Sequence, residues 1–255
     1  MPQRWSYLNT PTPIALAHRG AHGDGVTENS TAAFESAVAL GYRYVETDVH
    51  ATADGTLVAF HDATLDRVTD HSGAISDLPY RAVARARLAD GSPIPLLEDL
   101  LGAWPDLRVN IDAKDDRAVG PLLDVLARTR SYGRVCVGAF SDARIRDVRR
   151  ALPPGTATSL APREVAALRL NVGGPLRRRW LPEQVPCVQV PVRLGPLTVV
   201  DGAFVRRAHG QGRQVHVWTI DDPQEMHRLL DLGVDGIVTD NATGLLDVLA
   251  ARGQP

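Results

Sequence analysis

Short β-like apolar runs alternate with helical patterns along almost the whole of this chain, and that alternation constrains its fold more than any other feature. Ile14–His18 reads as a strand. Asn29 and Ser30 offer N-cap chemistry, and "TAAFESAVALG" reads as a helix closed by Gly41. "YRYVETDV" is the next strand. After an irregular stretch the order resumes: "LLEDLLGAW" helix, "LRVNIDAK" strand, "AVGPLLDVLART" helix, "RVCVGAF" strand, "SDARIRDVRRAL" helix with Ser141 as its cap. "GTATSL" is a weak strand before the helix "PREVAALRL", and "PCVQVPV" a strand before "GAFVRRAHGQG". "RQVHVWTI" and "DGIVTD" are the last strands, followed by the helices "DPQEMHRLLDLG" and "NATGLLDVLAARG". About eight strand–helix units in a chain of 255 residues predict a (β/α)8 TIM barrel. The rival is an open doubly wound sheet, and no G-x-G-x-x-G follows the first strand to support it.

Two segments depart from the alternation. "TLVAF" (56–60) follows the Glu46–Asp48 strand too closely for a helical crossover, so Asp54-Gly55 predicts a two-residue hairpin turn. That register sets Asp48 opposite His61, with neighbours about 5 Å apart across the ladder. Residues 63–95 carry only weak helical character around Tyr80–Arg87 and read as a small insertion after the hairpin. The whole of 1–255 is expected to be one domain.

Charge and composition exclude several classes. The net charge of −2 creates no field that would recruit nucleic acid or a membrane surface. Arg177-Arg178-Arg179 reads as a solvated patch. No apolar run approaches the roughly 18 residues of a membrane span, and "IALA" is too short for a signal-peptide core. Cys136 and Cys187 lie far apart in sequence, each in an apolar run, and read as buried thiols of a reducing compartment. A cytoplasmic protein without stable membrane insertion is expected; the oligomeric state is not legible.

The chemistry collects where strands end. Glu46, Asp48 and His50 occupy alternate positions of one strand, an unusual face to carry acids. In a (β/α)8 barrel the C-terminal strand ends build the active site. His18-Arg19 closes the first strand, and "NIDAK" sets Asn110, Asp112 and Lys114 on one face. "VHVWTID" offers Trp218 and Thr219, and "GIVTD" offers Thr239 and Asp240. Glu46, Asp48 and Asp112 together form an oxygen-rich nest, and carboxylates so close cannot all ionise unless a cation joins them. Hard oxygen ligands favour Mg²⁺ or Ca²⁺ over zinc. His18 and His61 at separate strand ends suit an acid–base pair, and Arg19 and Lys114 suit a phosphate. These parts specify metal-assisted phosphoester chemistry.

The motifs "AHRG", "TENSTAAFESAVALGYRYVETDVHATADGTLVAFHDATLDRVT", "IPLLEDLL", "NIDAK", "VHVWTID" and "DGIVTDN" occur in the order found in the glycerophosphodiester phosphodiesterases. The chain resembles that family from about Ala17 to Asn241, and the combination of HRG, E-x-D and HD is highly specific. The resemblance implies a (β/α)8 barrel with a small insertion after the HD motif. It also implies hydrolysis of small glycerophosphodiesters to sn-glycerol 3-phosphate and an alcohol, with a divalent metal ion. His18 and His61 then stand as the catalytic acid–base pair and Glu46, Asp48 and Asp112 as metal ligands. Arg19 and Lys114 stand as phosphate contacts, and Trp218 as a wall against the alcohol. Asp112 departs from the family's usual Glu and is shorter by one methylene. "WTID" stands for the frequent "WTVN", and "TEN" for "PEN", where Glu28 is placed to orient Arg19 or the glycerol end. Two other readings share these motifs: a phospholipase-type phosphodiesterase acting on lysophospholipids, and a catalytically silent phosphodiester-binding barrel.

The remaining polar residues receive plainer readings. His50 lies at the turn side of its strand and is expected to be exposed. His22, His71, His209, His216 and His227 have no partner legible in the sequence. Asp62 reads as an orienter of His61 or a turn former rather than a ligand, and Thr239-Asp240 as a cap for the last helix.

Overall fold

In the computed structural model, which describes residues 5–173 and 180–254, every residue of the strand Tyr44–Ala51 is buried. A strand covered on both faces belongs to a barrel or a doubly covered sheet. The strands, in chain order, are β1 (Ile14–Ala17), β2 (Tyr44–Ala51), β3 (Leu57–Ala59), β4 (Arg108–Ala113), β5 (Val135–Gly138) and β6 (Ala157–Thr158). They continue with β7 (Cys187–Pro191), β8 (Arg193–Leu194), β9 (Leu197–Thr198), β10 (Gln214–Trp218) and β11 (Gly236–Thr239). Parallel pairing runs β6-β5-β4-β2-β1-β11-β10-β7. The two ends of that row meet through the parallel bridge Ser159–Cys187, where Leu160 N donates to Cys187 O at 3.1 Å. The eight strands therefore close into a (β/α)8 barrel, and the open doubly wound alternative falls.

Local chemistry explains where the helices begin. Ser30, Ser141, Asp201, Asp222 and Asn241 each accept a hydrogen bond from a backbone N–H in the first turn that follows. Pro162 and Pro223 sit in the first turn, where a missing N–H costs nothing. Each helix buries one stripe against the strands. Leu122, Val125 and Leu126 of Val119–Thr129 join Val109, Ile111 and Val137 in one such layer. Burying a side chain of this size contributes roughly 1.5–3 kcal/mol. The opposite end of the barrel is filled by Tyr7 and Leu8 packed on Ile14, Tyr44, Cys136 and Cys187. There Tyr44 Oη donates to Tyr7 O at 2.6 Å, and the two free thiols lie 3.7 Å apart.

The hairpin register differs from the expected one. Val49, His50 and Ala51 pair with Ala59, Val58 and Leu57, and Phe60 N donates to Asp48 O at 2.9 Å. Phe60, not His61, thus lies opposite Asp48. The loop holds three residues, Ala53-Asp54-Gly55, between Thr52 N→Thr56 O and Gly55 N→Thr52 O bonds. Gly55 at φ +81° supplies the left-handed position that a three-residue loop requires, and this shifts the register by one. Residues 63–95 hold a 3-10 turn (Ile75–Asp77) and one short helix (Tyr80–Val83). They bury their own apolar cluster, Leu65, Ile75, Val83 and Leu88, against Val58 and Phe60. The hairpin β8–β9 has no counterpart in the sequence reading. Arg177–Arg179 lie outside the described residues. Among the described residues no helix is long and apolar enough to cross a membrane.

Candidate active site

Alternation along β2 decides which side chains enter the barrel. Val45 and Val49 point outward into the helical layer. Glu46, Asp48 and His50, on the other face, therefore point inward. Parallel registry with β4 sets Glu46 beside Asn110 and Asp48 beside Asp112, at the roughly 4.8 Å spacing of adjacent strands. That registry gathers acids from two distant motifs. Gly20 brings in the third. At φ +82°, a Cβ there would fall 2.6 Å from the Ala33 carbonyl carbon, so only glycine lets the His18-Arg19 turn seat on the following helix.

All eight residues singled out from the sequence line one cavity of about 400 Å³ at the C-terminal ends of the strands. Asp48 is nearly inaccessible. Its Oδ1 lies 2.8 Å from Lys114 Nζ and its Oδ2 lies 3.1 Å from Arg19 Nε. Lys114 Nζ also lies 2.8 Å from Asp112 Oδ2, while Asp112 Oδ1 is buried with no hydrogen-bond partner among the described residues. Glu46 is 7% exposed; burial first, then the charges of Asp48 and Asp112, push its carboxyl well above the usual range. Burial also raises Asp112, against the pull of Lys114. Burial works to lower the Lys114 ammonium, but Asp112 and Asp48 outweigh it and raise it.

Each predicted histidine leans on a carboxylate through Nδ1. His18 Nδ1 is 2.6 Å from Asp240 Oδ1, and His61 Nδ1 is 2.6 Å from Asp62 Oδ1. A carboxylate there selects the tautomer with the proton on Nδ1 and leaves Nε2 with its lone pair. Among the described residues neither Nε2 has a hydrogen-bond partner; that of His18 lies 3.8 Å from Glu46 Oε2. Asp240 therefore holds a histidine rather than capping the last helix, whose cap is Asn241. Burial acts to raise Asp240, yet the hydrogen bonds from His18 and His22 hold it well below the usual carboxylate range.

Several residues of the site escaped the sequence reading. His22 Nε2 shares Asp240 Oδ1 at 2.9 Å. His18, His22 and Asp240 are the group of described residues whose ligand atoms all lie within 4.8 Å of one another. Asn29, expected as cap chemistry, does not cap the helix, whose N-cap is Ser30. The Asn29 amide instead lies 3.5 Å from Asp48 Oδ2 while its Oδ1 accepts from Thr47 at 2.8 Å. Arg67 binds Asp62 through Nε at 2.6 Å and Glu28 through Nη2 at 2.6 Å. Its hydrogen bond is the largest influence holding Asp62 down to about 2. Glu28 in turn accepts from Arg19 at 2.9 Å, so one chain of ion pairs runs from His61 to the acids. The available signal for Arg67 was its place five residues after the HD pair. His50 is buried rather than exposed, and lies 2.9 Å from Asp115.

The far wall of the cavity is apolar. Leu160, Val165, Val199 and Trp218 line it, with Phe140 and Leu194 at the rim, 65% and 67% exposed. Trp218 meets Phe140 edge-on at 5.6 Å.

Comparison with known proteins bears on this arrangement. The profile of the glycerophosphoryl diester phosphodiesterase family matches residues 18–243. A Mycobacterium tuberculosis protein named probable glycerophosphodiester phosphodiesterase 2 is 46% identical over 245 residues, which cover 94% of this chain and 92% of that one. A human lysophospholipase D is 28% identical, over 92% of this chain and 85% of its own. Among solved structures, a glycerophosphodiester phosphodiesterase from Parabacteroides distasonis superposes with a TM-score of 0.78 at 23% identity, over 96% and 100% of the two chains. An Oleispira antarctica phosphodiesterase in complex with the product sn-glycerol-3-phosphate superposes with a TM-score of 0.77 at 20% identity, over 94% and 97%. These two share the fold of this chain.

Proposed function

The chain belongs to the glycerophosphoryl diester phosphodiesterase family and is a glycerophosphodiester phosphodiesterase, and from that premise we propose how its residues divide the reaction. The substrate is a small glycerophosphodiester and the products are sn-glycerol 3-phosphate and an alcohol. Residues 1–255 act as one catalytic domain, in which the insertion at 63–95 delivers Arg67.

A divalent ion, Mg²⁺ or Ca²⁺, would be held by Glu46, Asp48 and Asp112. The residues present fit it. The linked cluster sets five carboxylates, Glu28, Glu46, Asp48, Asp62 and Asp112, against three cations, Arg19, Arg67 and Lys114. Were all five ionised, the shortfall would be one divalent charge, and among the described residues Asp112 Oδ1 is buried without a hydrogen-bond partner. When bound, the ion supplies positive charge to the phosphoryl oxygens. His18, His22 and Asp240 lie closer together, but their contacts are already hydrogen bonds that fix His18.

Arg19 and Lys114 hold the phosphate from the floor of the cavity. One histidine Nε2 takes a proton from the nucleophile, water or the neighbouring glycerol hydroxyl. The other returns a proton to the departing alcohol oxygen as its bond to phosphorus breaks. The observation that carries this reading is the matched pair of 2.6 Å contacts, His18–Asp240 and His61–Asp62, both made through Nδ1, so that among the described residues neither Nε2 is engaged in a hydrogen bond. Its test is release of glycerol 3-phosphate from glycerophosphocholine by wild type, His18→Ala and His61→Ala, in EDTA and then with Mg²⁺, Ca²⁺ or Mn²⁺. Each variant is expected to lose about 10³-fold or more in rate while remaining folded. Wild-type rates in either variant would remove that histidine from the mechanism.

A second reading, in which the substrate carries an acyl chain, is favoured by the apolar wall of Phe140, Leu160, Val165 and Leu194. Hydrolysis of lysophosphatidylcholine with a kcat/KM above that for glycerophosphocholine would establish it. A preference for the unacylated diester would exclude it.

A further inference from the structure

His50 has no place in the reaction just described, yet it is 6% exposed and both its ring nitrogens face acceptors. Nδ1 lies 2.9 Å from Asp115 Oδ2, and Nε2 lies 3.0 Å from the backbone oxygen of His61; two acceptors call for an N–H on each nitrogen, so the ring makes both bonds as an imidazolium with Asp115 as its counter-ion. That second contact falls where the sheet no longer holds the chain. The β2–β3 ladder ends with the Phe60 N→Asp48 O bond, and residues 61–63 follow an irregular path before Thr64 bridges to Ala74. Among the described residues, the hydrogen bond reaching the His61 carbonyl comes from His50. Asp62 turns the His61 ring, whereas His50 holds its main chain. Asp115 is itself anchored just after β4, because its Oδ1 accepts from Ala118 N at 2.8 Å.

We propose that His50, braced by Asp115, is a positioning residue that fixes the depth of the His61 imidazole in the cavity. The inference rests on the acid–base role given to His61 above. A proton transfer tolerates little error in donor–acceptor distance, and a displacement of about 1 Å can lower a rate about 10²-fold. The tether works through a main-chain atom, so no side chain at position 61 is needed to form it. It would act on turnover and leave substrate binding alone.

A double-mutant cycle on glycerophosphocholine hydrolysis tests this. His50→Leu should lower kcat about 10–100-fold, with KM and the half-saturating Mg²⁺ concentration each within about 2-fold of wild type. In the His61→Ala background the same substitution should change kcat less than about 2-fold, because the group it positions is gone. Asp115→Asn should stay near wild type, since an amide still caps Ala118 and still meets His50 Nδ1, while Asp115→Ala should lose about 10-fold. If His50→Leu does not fold, His50→Asn, too short to reach both acceptors, carries the same comparison. Equal losses in both backgrounds, or a parallel rise in half-saturating Mg²⁺, would overturn the proposal and make His50 a support of Asp48. An active His61→Ala enzyme would remove the assignment of His61 and the tether with it, and the single variant alone reveals that outcome.

Discussion

Replacing Glu46 with Gln should stabilise the metal-free protein and abolish its response to metal. Glu46 is buried beside Asp48 and Asp112, and the nearest cations are already engaged: Lys114 by both aspartates, Arg19 by Asp48 and Glu28. Burial and its acidic neighbours raise the folded-state carboxyl well above the ordinary 4.5. The metal-free folded protein thus retains a proton that the unfolded chain gives up. Stability from this group is greatest below about pH 4.5 and falls as pH rises from there through the raised value. A bound divalent ion reverses the penalty by replacing the proton, so its benefit should grow over that same rise. At a hundredfold excess over Kd, binding to the native state adds about 2.7 kcal/mol. For a chain of this length, 1 kcal/mol moves Tm by about 2–4 °C, so Mg²⁺ or Ca²⁺ should raise it by about 5–11 °C near pH 8 and by much less near pH 5. Thermal unfolding of wild type and Glu46→Gln, with EDTA or metal at the two pH values, reads all of this. In EDTA at pH 8 the variant should melt above wild type, since the amide fills the same space without the charge. A variant that melts lower in EDTA, or gains as much from metal as wild type, would refute the charge shortfall.

Asp240→Ala should lower kcat about 10²-fold, because His18 Nδ1 loses the acceptor 2.6 Å away that selects its tautomer; steady-state kinetics with unchanged circular dichroism would show it. Gly20→Ala should destabilise by about 3 kcal/mol or more, since the added carbon meets the Ala33 backbone at 2.6 Å and φ is +82°; a denaturant midpoint close to wild type would contradict this. Phe140→Ser and Leu194→Ser should each lower kcat/KM for lysophosphatidylcholine about 10-fold and leave glycerophosphocholine within about 2-fold, if the apolar wall holds an acyl chain.

The barrel was legible because its signals are local. Each strand run, each cap and each strand-end motif is written in a few consecutive residues, and the TIM topology, with the β2–β3 hairpin carrying His61, then delivers all eight chosen side chains to one cavity. What escaped depends on partners far along the chain. His22 looked idle because Asp240 lies 218 residues away, and His50 looked exposed because Asp115 lies 65 away. Arg67 sits in a segment without periodicity, and its meaning comes from Glu28, 39 residues earlier. The hairpin erred by one residue for a different reason. Asp-Gly is compatible with two- and three-residue loops, and only Thr52 bonding across to Thr56 separates them.

Lys114 and Arg19 show how those long-range partners bear on the chemistry. The sequence offers two cations for a phosphate, and both do line the cavity. Yet Lys114 Nζ is shared by Asp48 and Asp112 at 2.8 Å each, and Arg19 bridges Asp48 and Glu28. Their charge is therefore spent on carboxylates before any anion arrives. With Glu46 holding its proton, the metal-free cluster keeps one net negative charge, and two engaged cations do not turn it toward a phosphodiester. A divalent ion that displaced this proton would bring the cluster to neutrality and let the cations face the substrate. On the proposed mechanism, the same acids that looked misplaced on a buried strand would make anion binding conditional on metal. Glycerophosphocholine should then fail to protect the protein from thermal unfolding in EDTA and protect it in Mg²⁺, measured with His61→Ala so that turnover does not consume the ligand. Equal protection in both conditions would mean that Arg19 and Lys114 bind the phosphate without help.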